Sequence, residues 1–195
     1  MDKKWLPLTV VLGVAGAAVV TATFWPDDEK KAPLPQTLCH GALSRQTAEL
    51  IDDGKGGEIS AEEWESKGKG SDYAVFKACS VQRVDRDSDY PRDIFKLIIA
   101  DERHDPGSRK DSVPLGAGFK GWALPEEAKA WLPAGCAARM GSTAQYLTVT
   151  FIGPSKKDEE QKKDSADRDT AIRNSSAIVR EAATNLARLA GCGGT

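Results

Sequence analysis

"DDGKGGEISAEEW", Asp52 to Trp64, decides between two architectures for the first half of the folded region. If the residues after the glycines wind up, the segment is helix, turn, helix; if they extend, it opens a sheet. Upstream, Ser44 is placed to cap a helix whose Ala48, Leu50 and Ile51 lie on one side. Gly54, Gly56 and Gly57 end that helix, and "SAEEWESK" reads as another short helical turn capped by Ser60. The "GKGS" at 68–71 then breaks the chain again.

The same stretch has the spacing of a twelve-residue EF-hand calcium loop. Asp52, Gly57, Ile59, Ser60 and Glu63 fall in register with its first, sixth, eighth, ninth and last positions. It departs where the ion is held. The third and fifth positions are Gly54 and Gly56, which carry no side-chain oxygen. Calcium takes about six to eight oxygens, and here only Asp52, the Glu58 carbonyl, Ser60 or a water, and Glu63 remain. The reading is therefore a glycine turn, with degenerate calcium binding at Asp52–Glu63 as an alternative.

Outward from this stretch, the N-terminus is the plainest feature. "WLPLTVVLGVAGAAVVTATFW", Trp5 to Trp25, contains no charged residue. A helix of that length spans roughly 30 Å, the hydrocarbon thickness of a bilayer, and its terminal indoles suit the headgroup level. A cleavable signal would have a shorter apolar core and a small-x-small site, which Thr21-Ala22-Thr23 matches poorly. The expectation is a cytoplasmic tail at 1–4, a transmembrane signal anchor at 5–25, an extended linker at 26–37 and an extracytoplasmic domain at 38–195. Cys39, Cys79, Cys136 and Cys192 all follow the apolar run, an even set that suits an oxidising compartment.

In that domain, "YAVFKACSVQRV" (73–84) and "DIFKLIIA" (93–100) read as strands, the second buried on more than one side. Residues 103–119 read as loop. "LPEEAKAWL" (124–132) reads as a short helix with Pro125 in its first turn, and "PAGCAARM" (133–140) places Cys136 in a strand. "AQYLTVTFIG" (144–153) alternates, with Leu147, Val149 and Phe151 inward and Tyr146, Thr148 and Thr150 outward. A long helix closes the chain, with Ile172, Val179, Ala182, Leu186 and Leu189 as its apolar stripe and its end at Gly191-Cys192. The fold class is α+β: an antiparallel or mixed sheet with helices on one face, stapled by disulfides. Four cysteines permit three pairings; element order favours Cys39 with Cys79 and Cys136 with Cys192.

Little in the sequence announces chemistry. The net charge of −2 comes from 27 basic and 29 acidic residues, interspersed, which gives no basic stripe for nucleic acid. No CxxC, HExxH, GxGxxG or phosphate loop occurs, so no metal and no cofactor are expected. His40 beside Cys39 has the residue types of a thiol–imidazole pair, but a bridged Cys39 is no nucleophile. His104, with Asp101, Asp105 and Ser108 nearby, has the residue types of a hydrolase without a recognisable spacing. Trp64, Trp122 and Trp131 read as core, or as the floor of a ligand cleft.

"LCHGALSRQTAEL" (38–50), "FKACSVQ" (76–82), "LTVTF" (147–151) and "LARLAGC" (186–192) together resemble small actinobacterial envelope proteins. Those are membrane-anchored or lipoprotein chains of unassigned function. The resemblance covers most of Cys39–Cys192, implies an exported module and transfers no catalytic residue. The expected function is a non-enzymatic, single-pass envelope protein whose exported domain binds a protein, a glycan or a lipid headgroup. A hydrolase using His104 is the alternative from another class.

Overall fold

The computed structural model describes residues 32–52, 56–66, 76–84, 90–105, 107–116, 118–154 and 165–193. The expected anchor at 5–25 lies outside the described residues. Among those described, no helix is long and apolar enough to cross a membrane.

The chain enters through a small hairpin, β1 (Thr37–Leu38) with β2 (Leu43–Ser44), followed by the single helical turn α1 (Arg45–Ala48). Ser44 caps it by accepting from the Thr47 amide. Residues 32–37, expected to belong to the tether, are part of the folded body. Leu34 is buried and the Ala32 carbonyl accepts from Arg83.

Seven strands follow: β3 (Glu58–Ser66), β4 (Phe76–Val84), β5 (Arg92–Glu102), β6 (Val113–Pro114), β7 (Gly121–Ala123), β8 (Glu127–Trp131) and β9 (Tyr146–Ile152). They form one antiparallel sheet in the order β3-β4-β5-β9-β8-β7-β6. Among the described residues two more helices follow, the short α2 (Cys136–Arg139) and the 25-residue α3 (Ser165–Leu189). Mixed helices and antiparallel sheet make this an α+β fold.

α3 covers one face of the sheet. Ile172, Ile178, Val179, Ala182, Ala183, Leu186 and Ala187 on the helix meet Leu97, Ile99, Ala128, Ala130, Leu147, Val149 and Phe151 on the strands. Leu189, expected in this stripe, is 60% exposed, while Ile178 is fully buried. Alanine at Ala128 and Ala130 lets the helix backbone come close to β8. A register shift between Val81 and Gln82 leaves Ile94 opposite no residue, so Ile94 and Phe95 are buried in succession.

Three segments differ from expectation. Residues 60–66 of "SAEEWESK" are not helical. They lie in β3, which pairs with β4 along its whole length from Glu58↔Val84 to Ser66↔Phe76. "LPEEAKAWL" contains β8, whose Ala128 and Ala130 are buried while Glu127, Lys129 and Trp131 are half-buried on the other face. Glutamate, alanine and lysine favour helices by only tenths of a kcal/mol each, and pairing between β7 and β9 outweighs that. Cys136 begins a helical turn instead of a strand, after Gly135 in a left-handed conformation (φ 87°). Thr148 is buried, not outward: its hydroxyl donates to Glu102 at 3.1 Å, which also accepts from Lys129 Nζ at 2.7 Å.

The disulfides join Cys39 to Cys79 and Cys136 to Cys192. The first ties the entry hairpin to β4, and the second ties the end of α3 to α2. No free cysteine remains.

At the opening stretch, Asp52 and Gly57 hold a guanidinium. Arg83, on β4, has a fully buried side chain whose Nε and Nη2 reach both Asp52 oxygens at 3.3 and 3.0 Å. Its Nη1 donates to the Gly57 carbonyl at 2.9 Å and the Ala32 carbonyl at 3.4 Å. Arg92 on β5 reaches the Gly56 carbonyl at 3.2 Å. A buried charge is tolerated only when paired and hydrogen-bonded, and this one is. Arg83→Ala is expected to destabilise by about 3–5 kcal/mol, because it strands the Asp52 carboxylate in a closed site. The double replacement Asp52→Leu/Arg83→Met is expected to cost less than Arg83→Ala alone; urea unfolding of the three proteins checks the order.

Candidate functional site

Glu63, the last position of the calcium spacing, lies on β3 and clamps the entry hairpin. Its two oxygens take the His40 amide at 2.7 Å and His40 Nδ1 at 3.0 Å. Cys39 and His40 both have left-handed backbones (φ 55° and 56°), followed by Gly41 at 80°. Two consecutive non-glycine residues in that region cost on the order of 1–2 kcal/mol each. The Cys39–Cys79 bridge and the Glu63 clamp hold the turn in that form. With Cys39 in a disulfide, His40 faces a carboxylate and no thiol.

Asp52 and Glu63 therefore have separate protein partners, Arg83 and His40. No group of three or more metal-type ligands gathers anywhere among the described residues. Millimolar calcium is expected to leave the melting temperature unchanged and to give no heat in calorimetry.

His104 is exposed just after β5 and bonds none of its proposed partners among the described residues. Asp101 instead accepts from the buried Ser142 hydroxyl at 2.7 Å, and Asp105 accepts from the Gly107 amide at 2.9 Å. Ser108 is exposed.

The three tryptophans have three different settings. Trp64 is 43% exposed on the open face of β3. Trp122 is buried beneath Arg109, whose guanidinium lies 5.8 Å from the ring centroid and pairs with Glu127. Trp131 ends β8 and lines a cleft of about 760 Å³.

That cleft lies where β8 and β9 end beneath the last turns of α3. Leu132, Leu147, Ala183 and Ala187 form its buried floor, and Phe119, Trp131 and Tyr146 are its half-buried aromatic walls. Backbone bonds set the geometry: the Trp131 amide donates to the Lys120 carbonyl at 3.0 Å, and the Leu132 amide to the Leu147 carbonyl at 2.8 Å. They hold the 118–120 segment and the two strands side by side. Gly121 makes this approach possible, since a Cβ there would lie 2.1 Å from the Lys129 carbonyl oxygen. The indole N–H of Trp131 is shut off from solvent and has no acceptor among the described residues.

The lip is polar. Lys120, Gln145 and Thr184 are exposed there, and no acidic side chain lines the cleft among the described residues. Arg180, one turn before Thr184, stacks on Phe119 with its guanidinium 5.4 Å from the ring centroid. An apolar, aromatic-walled cleft of this size with a few polar groups at its edge can hold a small organic molecule. No Ser, Cys, His, Asp or Glu occurs among its described lining residues.

Of these residues only Trp131 was marked by the sequence. Phe119 and Lys120 fall in a stretch without periodicity, and Tyr146 looks like the solvent side of an alternating strand. No local signal places residue 119 against residue 184. No protein-family model, curated protein or solved structure matches this chain.

Proposed function

We propose that this protein is a non-catalytic binding module of the cell envelope, tethered by the apolar segment at 5–25 with its disulfide-bonded body outside the membrane. The observation that carries the binding reading is the cleft bounded by Phe119, Trp131, Tyr146 and α3. It offers an apolar floor and aromatic walls without a reactive constellation. Two disulfides among four cysteines are what an oxidising compartment produces and a reducing cytosol does not. The resemblance of the Cys39–Cys192 region to envelope proteins points the same way.

The ligand enters between α3 and the 118–120 segment and lies against Leu132 and Leu147. A small ligand suits the site better than a protein partner, because the apolar surface is concave. Thr184 is exposed at the lip, so Thr184→Trp plugs the cleft without entering the core.

The direct test uses the full chain in lipid nanodiscs and titrates 1-octanol into wild type and Thr184→Trp side by side, so that partition into lipid cancels. Saturable binding near one equivalent in wild type, absent from Thr184→Trp, is expected; identical isotherms would refute the cleft as a ligand site. For the tether, protease added to intact cells is expected to digest the body while sparing a cytoplasmic marker. Complete protection in intact cells with digestion after lysis would place the body inside and overturn the topology.

A further inference from the structure

Two cations lie beside the cleft. Lys120 lines the cleft and is exposed, and Arg180 lies over Phe119, one of its walls. Neither cation forms an ion pair or a side-chain hydrogen bond among the described residues. This is unlike Arg83, Arg109, Lys77, Lys96 and Lys129, which all have carboxylate partners. The nearest acid along α3, Glu181, is committed elsewhere: one oxygen takes the Ser44 amide at 2.7 Å and the other the Thr47 hydroxyl. The lip therefore carries positive charge beside an apolar floor, with no carboxylate among the described lining residues to neutralise it.

Building on the binding reading above, we infer that the ligand is an amphipathic organic anion, with an apolar body in the cleft and a carboxylate-type head at Lys120 and Arg180. The body meets Leu132, Leu147, Ala183 and Ala187, where removal from water drives binding without direction. The head remains at the solvent edge, where it keeps part of its hydration and gains two cations. A head placed there avoids the cost of burying an unpaired charge. A cationic head in the same pose meets Lys120 and Arg180 as like charges, and a neutral head gains nothing from either. The Arg180 guanidinium, held over the Phe119 ring, gives up less freedom than a lone surface side chain when it takes an anion.

The test titrates octanoate, 1-octanol and octylammonium into the full chain in nanodiscs of uncharged lipid at low salt, with Thr184→Trp as the plugged reference. Octanoate has one methylene fewer outside its head than the other two, so the apolar contribution works against the preference expected of it. Octanoate is expected to bind roughly three- to tenfold more tightly than octanol, the scale of one or two solvent-exposed ion pairs. Octylammonium is expected to bind most weakly. The preference for octanoate is expected to shrink in high salt and to vanish in Lys120→Gln/Arg180→Gln, which retains octanol binding. Equal affinity for all three, each lost in Thr184→Trp, would overturn the anion inference and leave the cleft a ligand site. Isotherms that Thr184→Trp does not change would overturn both.

Discussion

The buried guanidinium of Arg83 is the constraint around which the first half of the molecule is arranged. Its side chain is fully enclosed, so each of its donors needs an oxygen inside the protein. Those oxygens come from sequence-distant places: the Ala32 carbonyl, both oxygens of Asp52 and the Gly57 carbonyl. Satisfying one side chain therefore fixes the entry segment, the glycine turn and β4 against each other. The turn resembles an ion-binding loop because it does collect oxygens around a cation. The cation is covalently part of the chain, and Asp52 and the Gly57 carbonyl serve it.

The second half is held by a different kind of constraint. α3 crosses the sheet through small residues, with Ala182, Ala183 and Ala187 on the helix and Ala128 and Ala130 beneath it. Small side chains bring backbones close and leave little tolerance for sliding, so register is set by van der Waals contact. The Cys136–Cys192 bridge then fixes the far end of the helix to α2. Sheet edges are managed separately. β6 is only two residues long, and β3 carries Glu58, Glu62, Glu63 and Glu65, which discourage a second copy from pairing there. Glu63 serves twice, since it also clamps the strained Cys39–His40 turn.

Legibility in the sequence followed the strength of local pattern. β4, β5, β9 and α3 were readable because β-branched residues cluster or alternate and because α3 repeats its apolar positions over many turns. β3 and β8 were not, because their residues favour helix weakly and their extended form is imposed by neighbours. The alternation Glu127-Ala128-Lys129-Ala130-Trp131 was present, but alanine is too small to mark a buried face by composition. Cys136 was misplaced for a related reason: Pro133 and Gly135 start a tight helical turn that an alanine-containing run does not distinguish from a strand end. The site was the least legible part. Its walls come from residues 119, 131, 146 and 183–187, whose meeting depends on the whole sheet order and on α3 lying across it.

The position of the cleft follows from those same constraints. A helix that packs on a twisted sheet cannot follow it at every point, and the gap opens where the strands end and the helix continues. Here that gap falls beside β8 and β9, within reach of Gly135, Ala137 and Gly193, residues close in sequence to the Cys136–Cys192 bridge. Filling it with larger side chains at Ala183 or Ala187 would improve packing density. Alanine at both places keeps the space open, while the disulfide and the backbone bonds from Trp131 and Leu132 keep its walls in place. Covalent and backbone restraint thus fixes the segments that frame the cleft, and a ligand of the kind proposed would meet a largely formed site that needs little reordering of the protein.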